Sequence, residues 1–130
     1  MHTMKVYLIP IARVLMSSLF IWDGILQLRD LGTTVEFLDS LNIPLPSVAV
    51  WFSVSLHLLG GLAILVGFKI RWAAAVLALF CLATAFGVHL PIGDEENMIN
   101  FYKNLVMAGG FLYVVSYGAG ILSIDGPDTL

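Results

Sequence analysis

An all-α bundle of four transmembrane helices, crossing up-down-up-down, is the fold this sequence predicts. Hydrophobic residues make up 59% of its 130 residues, charged residues only 12%, and the mean hydropathy is +0.95. A soluble domain this small has too high a surface-to-volume ratio to hide that much apolar surface, so lipid must solvate the outer faces. Four apolar stretches, at residues 6–28, 46–68, 72–91 and 101–122, each approach the about 20 residues a helix needs to cross a bilayer core. They are too long for barrel strands and lack the strands' alternation. One integral membrane domain is expected over residues 1–130, with no soluble domain or linker left over.

The first stretch, Val6–Leu28, is expected to remain as a helix. No small-residue cleavage site follows it, and Asp23 interrupts what would be a signal's apolar region. Thr33–Pro44 (TTVEFLDSLNIP) mixes Val35, Phe37, Leu38 and Leu41 with Glu36, Asp39 and Ser40. That mixture suits a short amphipathic helix at the interface, between spans one and two. Asn42-Ile43-Pro44-Leu45-Pro46 ends it and leads into the second span. Small residues mark the surfaces where helices should meet: Gly60-Gly61 and Gly67, then Ala73-Ala74-Ala75, Ala78, Ala83 and Gly87, then Ala108-Gly109-Gly110. The tight turn at Lys69 and Arg71 makes spans two and three antiparallel neighbours.

Basic residues near span ends set orientation. Lys5 and the Lys69/Arg71 turn favour the cytoplasm for both termini. The loops carrying Asp30, Glu36 and Asp39, and Asp94-Glu95-Glu96, then face outward, although Arg29 and Lys103 narrow the margin. The membrane expected is the cytoplasmic (inner) membrane of a bacterium or archaeon.

Several functions have no support. The net charge is −3 and no basic run occurs, so nucleic-acid binding is set aside. Cys81 stands alone in an apolar stretch and reads as a small buried hydrophobe. No HxxxH, HxxE or Cys/His cluster supports a metal or haem, and no P-loop, GxGxxG or Ser-His-Asp order is present.

Ionisable groups in hydrocarbon are expensive, so each needs a role. Span one carries Arg13, Asp23 and Gln27. Span two carries His57, span three ends near His89, and span four begins with Lys103-Asn104. At ~1.5 Å per residue, His57 falls near mid-membrane, while Asp23, Gln27, His89, Lys103 and Asn104 fall toward the outer side. Ser53, His57, Gly60, Gly61 and Ile64 form one stripe that should face the bundle interior. Arg13 is read as structural, snorkelling or pairing with Asp125 or the end of span four. Gln27 and Asp125 are read as structural too. Asp23 and Lys103 are expected to form an outer ion pair. A cleft is expected from His57 up to His89 and Asn104. His57, His89, Asn104, Lys103 and Asp23 would supply its polar contacts, with ring surface from Trp22, Trp51, Phe86 and Tyr102.

The ordered pieces resemble the DoxX family of small bacterial and archaeal membrane proteins. They are Ile11-Ala12-Arg13-Val14-Leu15, Leu19-Phe20-Ile21-Trp22-Asp23-Gly24 with Gln27-Leu28, Leu41 to Pro46, and His57 to Arg71. His89, Phe101-Tyr102-Lys103-Asn104-Leu105, Gly109-Gly110 and Gly118-Ala119-Gly120 follow. The resemblance covers nearly the whole chain and implies a four-helix membrane fold. It also implies a link to the quinone pool or to thiol and oxidative-stress membrane complexes, since relatives include a subunit of a thiosulfate:quinone oxidoreductase. His57 stands where many members have Glu, and Gln27 where many have Lys. Three functions compete. The first is a quinone-linked redox protein with a redox partner protein, quinone as the ligand, and no metal or haem. The second is a non-catalytic membrane scaffold or subunit, and the third a small transporter, for which four spans would call for a homo-oligomer.

Overall fold

The computed structural model describes residues 2–89 and 94–127, and they are helical apart from the connections and the C-terminal segment. The helices are α1 (His2–Arg29), α2 (Leu31–Ser40), α3 (Pro46–Ser55), α4 (Gly61–Val66), α5 (Ile70–Gly87) and α6 (Glu95–Tyr117). A π-helical turn, Leu56–Gly60, joins α3 to α4 without a break. Span two is therefore one helix over Pro46–Val66, and the other three spans are α1, α5 and α6. The chain is a multi-pass membrane protein with the expected four-helix architecture.

Capping chemistry sets the ends. Asp30 opens α2 by accepting from the Thr33 amide and hydroxyl. Those bonds favour the ionised carboxylate and hold it below its usual range. α2 has no fully buried residue, as an interfacial helix should. Span four departs most from expectation. It starts at Glu95, six residues early, because Asp94 accepts from the Asn97 amide at 2.7 Å and caps the polar turn ahead of the apolar run. It ends at Tyr117 instead of Leu122, because Gly118 sits at φ +82° and turns the chain out of the helix. Gly67, at φ +69°, likewise stops span two before residue 68. The third helix begins at Ile70 and ends at Gly87, and the rest of the stretch expected to residue 91 lies partly outside the described residues.

α5 and α6 form the most extensive helix pair, while α1 lies along span two. Phe20, Ile64, Leu77, Cys81, Ala108 and Phe111 share one core, which holds Cys81 as an inert apolar group. Phe20 meets Phe111 edge-on at 5.3 Å and so closes α1 against α6. The expected small-residue contacts hold in part. A Cβ at Gly60 would lie 2.9 Å from Leu77, and one at Gly61 2.9 Å from Ile21, whereas Gly87 and Gly109 face open space.

Residues beyond α6 return to the bundle end. Ile124 and Asp125 donate their amides to Val66 and Gly67 carbonyls. The Asp125 carboxylate accepts from the amides of Lys69 and Ile70, capping α5. Arg13, 3% exposed, donates to the carbonyls of Leu65, Ile121 and Leu122. Arg13 thus pairs with backbone near and beyond the end of span four, and Asp125 is committed to the helix cap.

Candidate functional site

The outer half of the bundle, by the expected orientation, holds a cavity of about 630 Å³. α1 contributes Phe20, Asp23 and Gln27 to its wall, and α2 contributes Thr34, Phe37 and Leu38. Span two adds Phe52, Ser53 and His57. α5 adds Phe80 and Thr84, the turn after it adds His89, and α6 adds Asn100, Lys103 and Asn104.

The polar end of this cavity is a closed hydrogen-bonded ring. His57 Nε2 lies 3.0 Å from Asp23 Oδ2. Gln27 Nε2 donates to the same oxygen at 3.1 Å. Ser53 Oγ donates to Gln27 Oε1 at 3.0 Å and lies 3.3 Å from His57 Nδ1. His57 Nδ1 also meets the Ser53 carbonyl at 2.7 Å. A carbonyl only accepts, so Nδ1 carries a hydrogen. One further proton is then held between Nε2 and Oδ2, either as imidazolium with carboxylate or as imidazole with carboxylic acid. Such a ring, in a low dielectric, fixes the orientation of every member. Phe20 and Phe80 flank the imidazole, each with its ring centre 5.2 Å away.

Local structure explains the placement. Asp23 and Gln27 lie one turn apart on α1. The π-helical turn contains His57 and lets the cavity-facing residues of α3 and the core-facing Gly61 and Ile64 share one span. Across the interface, Gly24 leaves room for span two: a Cβ there would come within 3.0 Å of the His57 Cβ.

The structure gathers most of the residues expected at the site but changes their partners. His57, Asp23, Gln27, His89, Lys103 and Asn104 all line the one cavity. Asp23 pairs with His57, and not with Lys103 as expected, because Nδ1 of the buried histidine is turned to the Ser53 carbonyl and Nε2 then faces the carboxylate across the interface. Lys103 remains within electrostatic reach of Asp23. His57 has no hydrogen-bonding capacity left for a ligand. Asp23 Oδ1 makes no hydrogen bond among the described residues, and its side chain is 48% exposed. His89 Nδ1 lies 3.3 Å from Asn97 Oδ1, and Asn104 donates to the Asn100 carbonyl. Trp22, Trp51, Phe86 and Tyr102 are exposed on the outer surface and do not line the cavity. Its ring surface comes instead from Phe20, Phe37, Phe52 and Phe80. Phe37 carried a readable signal, since an interfacial helix must lay its apolar face on something. Asn100 and Thr84 carried none.

Comparison with known proteins gives a consistent picture. The DoxX family model matches residues 8–90. The chain is 38% identical to the inner membrane protein YqjF of Escherichia coli over 118 residues, covering 88% of this chain and 87% of that one. It is 34% identical to the inner membrane protein YphA of the same organism over 123 residues, covering 91% and 88%. A more distant match, 32% identical over 82 residues, is to the ER-derived vesicles protein ERV29 of Saccharomyces cerevisiae, covering 58% of this chain and 26% of that one. No solved structure matches the chain.

Proposed function

This chain belongs to the DoxX family, and from that premise we propose that it is an inner-membrane protein that binds a quinone-type ring between its spans, as the membrane partner in quinone-dependent redox chemistry. One observation supports this reading above the others: a cavity of about 630 Å³ joins aromatic walls to a small set of convergent polar groups. That size and that mixture suit a small-molecule site. A quinone carbonyl would accept from Lys103 or Asn104, and a hydroquinone hydroxyl would donate to Asp23 Oδ1. The phenyl rings of Phe20, Phe37, Phe52 and Phe80 would face the ring and the first part of its tail. The chain would supply binding and orientation, while electron transfer would belong to the quinone and a redox partner protein.

The test is chemical analysis of the purified protein. An organic extract should contain quinone in near-equal proportion to protein. Ala83→Phe, which fills the cavity without touching the polar ring, should remove it. Lipid alone in the extract, or quinone unaffected by Ala83→Phe, would favour the second reading, a non-catalytic membrane subunit. The complete engagement of His57 within the protein supports that alternative.

The same proposal places both termini in the cytoplasm and the cavity near the outer face. Lys69→Cys should react with membrane-impermeant maleimide only after the inner face is opened. Asp94→Cys should react in intact cells. Cys81 is fully buried and adds no background. The reverse labelling pattern would invert the orientation.

A further inference from the structure

We propose that the cavity selects apolar molecules that carry one negative charge, and that Lys103 is the residue that selects them. The proposal rests on the reading of the cavity as a ligand site and narrows the ligand within it. Of quinone-type rings, it favours those with an ionised hydroxyl on the ring.

The first argument is the charge of the lining, whose titratable residues are Asp23, His57, His89 and Lys103. Asp23 and His57 share one proton across 3.0 Å, while Nδ1 carries its own hydrogen to the Ser53 carbonyl. That pair is neutral as a unit, wherever the shared proton sits. Lys103 is within electrostatic reach of Asp23, but it makes no ion pair with any carboxylate among the described residues. His89 can add only positive charge. Glu36 and Asp39 on α2 are exposed and do not line the cavity. The lining therefore has an uncompensated positive charge at Lys103. Between lipid and phenyl rings such a charge is costly, and a ligand of opposite charge removes the cost.

The second argument is the supply of donors. The Lys103 ammonium makes no hydrogen bond among the described residues. Asn104 Nδ2 donates to the Asn100 carbonyl at 2.9 Å and has a second hydrogen to give. An oxyanion accepts from such donors through charge-assisted bonds, which are about twice as strong as those to a neutral oxygen. Phe20, Phe37, Phe52 and Phe80 take the apolar remainder. The ligand arrives ionised, no proton is transferred, and Asp23 keeps its place on His57.

The test uses the full-length protein in nanodiscs of zwitterionic lipid, whose headgroups bring no net charge. The probes are an alkylated hydroxynaphthoquinone, ionised at neutral pH, and its methyl ether, which is neutral. Empty nanodiscs correct for partition into lipid. The ionised probe should bind at least about tenfold more tightly than the ether. Lys103→Met keeps an apolar stem without the charge. It should bring the two affinities within about twofold of each other and leave ether binding in place. Lys103→Arg should restore the preference. Ala83→Phe should abolish binding of both probes, which would locate them in the cavity. Equal binding of the two by the unmodified protein, or a preference that survives Lys103→Met, would overturn the proposal while leaving the ligand site standing. If neither probe binds, or if Ala83→Phe leaves both bound, the ligand site itself is wrong and the proposal falls with it.

Discussion

Arg13→Leu is expected to remove about 3–5 kcal/mol of stability, the range for uncovering buried partners of a charged group. Nη1 donates to Leu65, and Nη2 to Ile121 and Leu122. One side chain thus joins the first helix, the end of span two and the segment after span four. Leucine would leave three carbonyls without that donor, in a region where water is scarce. Lysine should rescue little, because its donors radiate from a single atom and cannot span the same fork. Thermal unfolding in detergent measures the loss, and limited proteolysis should find residues 118–127 newly cleavable. An Arg13→Leu protein as stable as the parent would mean that lipid or water replaces the guanidinium at no cost.

The second large effect is expected at the Asp23–His57 pair. His57→Leu leaves a carboxylate facing an apolar side chain inside the membrane and opens the hydrogen-bonded ring, at a cost of about 3 kcal/mol. Asp23→Leu should cost less, because an imidazole can shed its proton and sit neutral. The double variant should be less destabilised than the sum, with a coupling of about 2 kcal/mol. His57→Gln, which keeps a donor and an acceptor, should lie nearest the parent. Additive losses across the cycle would show that the two groups do not act together.

The architecture was legible because bilayer thickness imposes a length that composition alone reveals. Helix ends were less so. The start of α6 depends on one aspartate reaching an amide three residues on, and its end on a glycine at positive φ. Hydropathy runs record neither. At the site, the depth estimate set His57 near mid-membrane and His89, Lys103 and Asn104 toward one side, as the two ends of one cleft, because each helix has a fixed rise. Rotation about the helix axis was the harder quantity. A tryptophan and an aspartate adjacent in sequence, Trp22 and Asp23, point about 100° apart, and only Asp23 reaches the cavity. The π-helical turn adds a further rotation that a 3.6-residue period does not contain. Partner choice was hidden for a related reason. Opposite charge suggested Lys103 for Asp23, but each of the histidine's two buried nitrogens needed a hydrogen-bond partner, and only the packed helices show which ones they meet.

The Arg13 clamp also bears on the order in which the protein is made. Its first acceptor lies 52 positions downstream, and the other two lie 108 and 109 positions downstream. The ribosome therefore delivers the guanidinium to the insertion machinery long before it has polymerised the carbonyls that will hold it. During that interval Arg13 needs a stand-in, such as water in the translocon or a lipid phosphate at the headgroup level. The first helix should consequently sit shallow or loosely docked until the last span has entered, and then settle. Nascent chains arrested before residue 121 should keep α1 accessible to water-soluble reagents near Arg13, and chains extended past residue 127 should protect it.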